Sequence, residues 1–194
     1  MKKIFLLLLF VLNTLFASDE MMLECANAYK SVIRSGKVPA NELVSVSSAI
    51  IIFPSFYKGG FFIGGWGGKG VMLEKASGSW NGVGVGIGGA SLGFQVGFEN
   101  NMLVIFVLKD EIVADIKSGK FTISAELAAS FGRYGANASN MNEMSFTKSL
   151  YAYANNSGLF AGLNFGGSVI GSNDEIINTD SYGFRELVGA IGAY

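Results

Sequence analysis

Ile50-Ile51-Ile52-Phe53-Pro54-Ser55-Phe56-Tyr57-Lys58-Gly59-Gly60-Phe61-Phe62-Ile63-Gly64-Gly65-Trp66-Gly67-Gly68-Lys69-Gly70-Val71 opens a run, residues 50–107, with no proline after Pro54 and with most of the glycines and large apolar side chains of the chain. Apolar residues alternating with glycine have the period of two that a strand requires, and glycine pairs supply tight turns. The run therefore reads as short antiparallel strands. Residues 49–53 form a fully apolar strand ended by Pro54, which removes a ladder donor. After a turn at 55–60, residues 61–64 and 69–74 read as two strands around the glycine cluster. Val83, Val85 and Ile87 then alternate with glycine over 80–88, and Leu92, Phe94, Val96 and Phe98 do the same against small or polar neighbours. Residues 102–108 are apolar throughout, as in a strand covered on both faces.

A bare glycine face lets another element approach closely. We expect a strongly curved antiparallel sheet or small barrel-like β core, built from residues 49–165 in an α+β domain with an N-terminal amphipathic helix and a few short helices. The first helix, capped by Ser18 or Asp19 and stopped by Gly36, carries Met21, Met22, Cys25, Ala28, Tyr29, Val32 and Ile33 at three- and four-residue spacing. Pro39 opens a short second helix. A third starts at Lys109-Asp110-Glu111 and ends at Gly119. Residues 150–154 and 159–165 suggest a hairpin turning at 155–158, with 166–170 extending its second strand, and a capped helical segment from Asp174, interrupted near Gly183, closes the chain.

Length and composition bound the rest. The 194 residues suffice for one domain with a real core. With 50% hydrophobic and 15% charged residues, the chain is on the apolar side of ordinary soluble proteins. Lys2 and Lys3, an apolar core from Ile4 and the exit Leu15-Phe16-Ala17 read as a signal peptide, residues 1–17, leaving a single domain at 18–194 in the periplasm or peripheral at the cell envelope. Without Lys2 and Lys3, twelve of the fourteen basic residues face fifteen acidic ones, a net charge of −3, and nothing suggests a nucleic-acid protein. Glu24 before Cys25 speaks against lipid attachment at that cysteine, which reads instead as a small core residue.

The chemistry is sparse. No histidine is present, so histidine bases, triads and histidine metal ligands are excluded, and one cysteine cannot build a zinc cluster. The expectation is no enzyme, no cofactor and no metal. Residues 65–70 and 84–89 match G-x-G-x-x-G literally, but strand-like alternation follows each where a nucleotide fingerprint needs a helix.

Residues 52–55, 58–61, 67–71, 88–97, 103–106 and 157–162, with Asn178 and Tyr182-Gly183, resemble the SYLF domain family in order and spacing, over nearly all of residues 21–194. That resemblance implies a non-catalytic lipid-binding module that recognises membranes, especially anionic phospholipid. Trp66 and Gly166 depart from the family's usual polar or basic residue and glutamate, so a head-group preference is not carried over, and with no appended SH3 module visible neither is the actin binding of some members. On this reading Lys58 and Lys69, with Lys30, Arg34 and Lys37 from the first helix, supply charge toward an anionic phospholipid surface, while Phe61, Phe62 and Trp66 enter the interface. The alternatives are a structural or assembly partner of another envelope protein, and an integral outer-membrane β-barrel. Against the barrel stand strands that look shorter than the roughly 9 to 11 residues needed, and fully apolar segments that would face a polar lumen.

Overall fold

The computed structural model describes residues 19–35, 38–60, 63–92, 98–119, 121–123, 148–155, 168–173 and 175–193. Helix α1 (19–35) and α2 (Ala40–Val46) precede β1 (Ala49–Gly60), β2 (Ile63–Ala76), β3 (Ser79–Leu92) and β4 (Phe98–Val107). Then follow α3 (Asp110–Lys117), β5 (Phe121–Thr122), β6 (Leu150–Ala154), β7 (Val169–Ser172) and α4 (Tyr182–Gly192). Among the described residues the seven strands form one sheet, ordered β5-β7-β3-β2-β1-β4-β6. All its pairs are antiparallel and it curls into a half-barrel. The fold is α+β, as the glycine and apolar alternation leads one to expect.

Period two along β1 and β4 divides the apolar residues between two cores. Ile50, Ile52, Val71, Leu73, Val104, Phe106, Tyr151 and Tyr153 pack under α1, α2 and α4 on one face. Ala49, Ile51, Phe53, Met72, Leu103, Ile105 and Val107 pack with α3 on the other. Continuous apolar strands are thus covered on both sides. Helix α1 buries Met22, Cys25, Ala28, Tyr29, Val32 and Ile33 completely or nearly so, and the Cys25 thiol donates to the Ile52 carbonyl across 3.7 Å. Burial holds that thiol far above its usual range, and the Glu24 and Glu175 carboxylates push the same way.

Several sequence expectations need correction. Pro54 does not end its strand: β1 runs on to Gly60, and the ladder absorbs the missing donor through a register shift between Ile52 and Ser55 against β2 and between Phe53 and Phe56 against β4. The shift reverses the alternation, so Phe56 joins the α3-side core while Tyr57 is exposed. The two strands expected around the glycine cluster are one strand, β2, and the β1–β4 strands span 12, 14, 14 and 10 residues. The argument from short strands against a membrane barrel therefore falls for these four. Only Gly78 and Gly119 have positive φ among the described glycines, so the glycines of β2 are not there for unusual backbone angles.

Beyond β4, the expected hairpin turn and partner strand (156–165) lie outside the described residues. Strand β7 pairs with β3 and β5, at the far side of the sheet from β6, so the sheet extends past residue 165. The last helix starts at Tyr182 and not at 174. Ser181 caps it by accepting from the Phe184 N–H at 3.1 Å. Gly183 interrupts nothing: its N–H donates to Asp19 Oδ1 at 2.7 Å, and an added Cβ would press on Met22 at 2.9 Å, so glycine lets the starts of α1 and α4 meet.

Candidate functional site

Several glycines of β2 and β3 are filled by neighbours, whereas a Cβ at Gly65, Gly86 or Gly88 would meet nothing closer than 3.8 Å. A Cβ at Gly68 would lie 2.5 Å from the Ser55 carbonyl oxygen, one at Gly67 would lie 2.9 Å from that of Ile87, and one at Gly70 would strike the Ile52 carbonyl. On β3, Gly82 receives Ile177 and Phe184, Gly84 receives Asn173 and Glu175, and Gly89 receives the Trp66 ring. Gly82 and Gly84, in the first half of β3, are thus the seat of the segment before and at the start of α4. Both G-x-G-x-x-G matches lie wholly inside strands, with their residues paired in the β2–β3 ladder. A phosphate cradle at a helix N-terminus is not built there.

Trp66 is inside the protein, 6% exposed, with its ring 5.3 Å from that of Phe56. It therefore does not stand at the surface as an interfacial aromatic would. Tyr57, at 42% exposed, holds that position on the opposite face of the sheet. Lys69 is exposed and opposes Ser55 in β1 and Gly86 in β3. Backbone pairing sets Lys58 opposite Trp66 and Glu99, nearer the end of the β1–β2 hairpin. Phe61, Phe62 and Lys37 lie outside the described residues.

Lys69 and Tyr57 line a groove of about 690 Å³ between the hairpin and the N-terminal half of α1, together with Pro54, Ser55, Gly68, Glu20, Glu24 and Glu175. The helix end beside Lys69 is thus its acidic end. Lys30 is half-buried and Arg34 exposed near the other end. Arg34 is ten residues beyond Glu24, about 15 Å along the helix axis. Arg34 and Lys69, of the cations read from the sequence, are therefore not gathered into one patch. Sequence reasoning missed Tyr57 and the three glutamates. A proline inside an apolar run signals a bulge, and a bulge would have turned Tyr57 outward.

Other charged features are structural. The Lys75 ammonium caps α2 by donating to the carbonyls of Val44 and Ser45, and sits over the Trp80 ring. Partial burial lowers its pKa. Lys117 pairs with Glu74 at 2.8 Å. Among the described residues no group of three or more acidic or cysteine ligands could hold a metal ion.

Comparison with known proteins finds a match over residues 88–189 to the family model described as "Ysc84: Las17-binding protein actin regulator". The "SH3 domain-containing YSC84-like protein 1" of Bos taurus is 30% identical over 136 residues, 69% of this chain and 39% of that protein. The Homo sapiens protein of the same name is 29% identical over the same length and shares. That of Xenopus laevis is 32% identical over 117 residues, 59% of this chain and 35% of that protein. The match thus spans about two fifths of the relatives' length, and no solved structure matches. The family-model match begins within β3, after the β1–β2 hairpin.

Proposed function

The chain belongs to the Ysc84 (SYLF-domain) family, and from that premise we propose that it is a non-catalytic module, exported after cleavage at Ala17, that attaches to anionic phospholipid surfaces through the β1–β2 hairpin. The observation that carries this reading is the exposure of Lys69 beside exposed Tyr57 on one face of that hairpin. An aromatic ring with a polar tip suits the head-group level, and an adjacent ammonium suits anionic phosphate. Lys58, paired with Trp66 in the ladder, is the second lysine of the hairpin. Each basic residue near such a surface contributes about 1 kcal/mol, so two give weak, salt-sensitive attachment and apolar contacts must supply the remainder.

Glu20 and Glu24 line the same groove as Lys69 and Tyr57 and oppose this attraction, so the attachment is expected to be weak and to depend on salt. Co-sedimentation with phosphatidylglycerol vesicles tests the proposal. The wild type is expected to bind, binding is expected to fall with salt, and Lys58→Glu with Lys69→Glu is expected to abolish it while the melting temperature holds. Equal binding by wild type and double variant would remove these lysines from the site. No binding to any vesicle would favour an assembly role with an envelope protein.

A further inference from the structure

We propose that α1 and α4, the first and last described helices, form one lid over the sheet and open as a single unit, with Asp19 as its clasp. The clasp joins the two ends of the chain. Asp19 is the first described residue of α1, and its Oδ1 accepts from the Gly183 N–H of α4 at 2.7 Å, a bond between residues 164 apart in sequence. One carboxylate thereby sits at the N-terminal ends of two helices, where both dipoles favour negative charge. Ser181 satisfies the next free donor, the Phe184 N–H, at 3.1 Å, so α4 starts with one cap from its own segment and one from α1. An added Cβ at Gly183 would lie 2.7 Å from Asp19 Oδ1 and 2.9 Å from Met22 Cβ, and would strike the Asp19 carbonyl oxygen. The two helix starts touch.

The apolar contacts run the same way. Phe184, Leu187, Ala190 and Ile191 of α4 share one core with Met22, Cys25 and Tyr29 of α1, above Ile50, Ile52, Val71 and Leu73 of the sheet. Neither helix holds by itself in water: the eleven residues of α4 are too few for an isolated helix, and the seventeen of α1 are marginal. If α1 lifts, α4 loses a cap and part of its apolar cover together, and if α4 lifts, α1 loses the donor on its first carboxylate and the wall beside Met22. Each closed helix is thus a condition of the other. Helix α2 is the contrast within the same face, because the Lys75 ammonium of β2 holds its last carbonyls and ties it to the sheet by a bond of its own. Whatever draws off one end of the chain therefore releases the other end with it and bares the apolar sheet face beneath both.

Amide hydrogen exchange, read element by element by mass spectrometry with maleimide labelling of Cys25 as a second probe of α1, tests the coupling. In Asp19→Ala, exchange in α1 and in α4 is expected to rise together by about tenfold or more, the worth of one hydrogen bond to a charged group. Cys25 labelling is expected to rise by the same factor, while α2 and β1–β4 keep their protection. Gly183→Ala, a change within α4, is expected to raise exchange in α1 as much as in α4, which separates a shared lid from the loss of a favourable charge in the first turn of α1. A rise confined to the helix that carries the substitution overturns the proposal. So does an equal rise in every element, sheet included, since the loss would then be one of global stability. Unchanged exchange in both variants overturns it too, because the clasp would then hold nothing.

Discussion

At the scale of single residues, the glycines divide by what stands opposite them. Gly68 lies in a strand with ordinary backbone angles, and the space a side chain would need belongs to the Ser55 carbonyl. Gly68→Val is therefore expected to lose about 2 kcal/mol or more of stability, read from a denaturant curve. Gly189, in α4, has nothing within 4 Å of an added Cβ. Gly189→Ala is expected to gain up to about 1 kcal/mol through helix propensity and a less flexible unfolded chain. A Gly68→Val protein of unchanged stability that no longer binds lipid would instead make this strand a ligand cradle. Cys25 gives a second test. With no exposed surface and a strongly raised thiol pKa, it is expected to resist maleimide in the native protein and to react at a free thiol's rate in denaturant. Fast native labelling would mean that α1 lifts from the sheet.

At the scale of elements, the Pro54 bulge decides which residues the hairpin shows. Residues before it alternate in one phase and those after it in the other, which buries Phe56 and exposes Tyr57. Deleting Pro54 takes out the extra residue, so that Phe56 follows Phe53 by two in an unbroken ladder and keeps its buried place, and the deletion is expected to cost no more than about 1–2 kcal/mol. Pro54→Ala keeps the residue count and is expected to stay within about 1 kcal/mol of wild type. A deletion variant that loses several kcal/mol in thermal melts while Pro54→Ala does not would show that the bulge itself holds the register. The same bulge explains what the sequence conceals. Continuous apolar runs at 50–53 and 103–107 and the spacing in α1 make the sheet and its helix legible, because one periodicity carries each. Tyr57 and Trp66 were not legible, since a one-residue shift exchanges inside and outside without changing composition. The acidic side of the groove was hidden for another reason: Glu20, Glu24 and Glu175 meet Lys69 only through tertiary contact. The turn at Ser77-Gly78, with φ of 49° and 83°, did carry a signal, since serine followed by glycine between strands marks a tight hairpin.

At the scale of the whole molecule, the two-sided core bears on whether these strands span a membrane. β1–β4 span 10 to 14 residues, long enough to cross a bilayer, so length does not decide. Burial does. A barrel strand in an outer membrane gives one face to lipid, whereas Ile50, Ile51, Ile52 and Phe53, and the five residues from Leu103 to Val107, are each fully buried by protein. The cover on one face is α1, with α2 and α4, and burying Met22, Tyr29, Val32 and Ile33 contributes on the order of 10 kcal/mol, comparable to the net stability of a domain. A protein beginning at residue 18 is therefore expected to fold and stay in solution without detergent, and one beginning at residue 37 to aggregate, because its sheet face of Ile50, Ile52, Val71, Leu73, Val104 and Phe106 would lie open. In cells, the native protein is expected in the carbonate-washed supernatant and not with the pelleted membranes. Strict detergent dependence after that wash, with the helix intact, would mean that lipid and not α1 covers this face, and would reinstate the barrel.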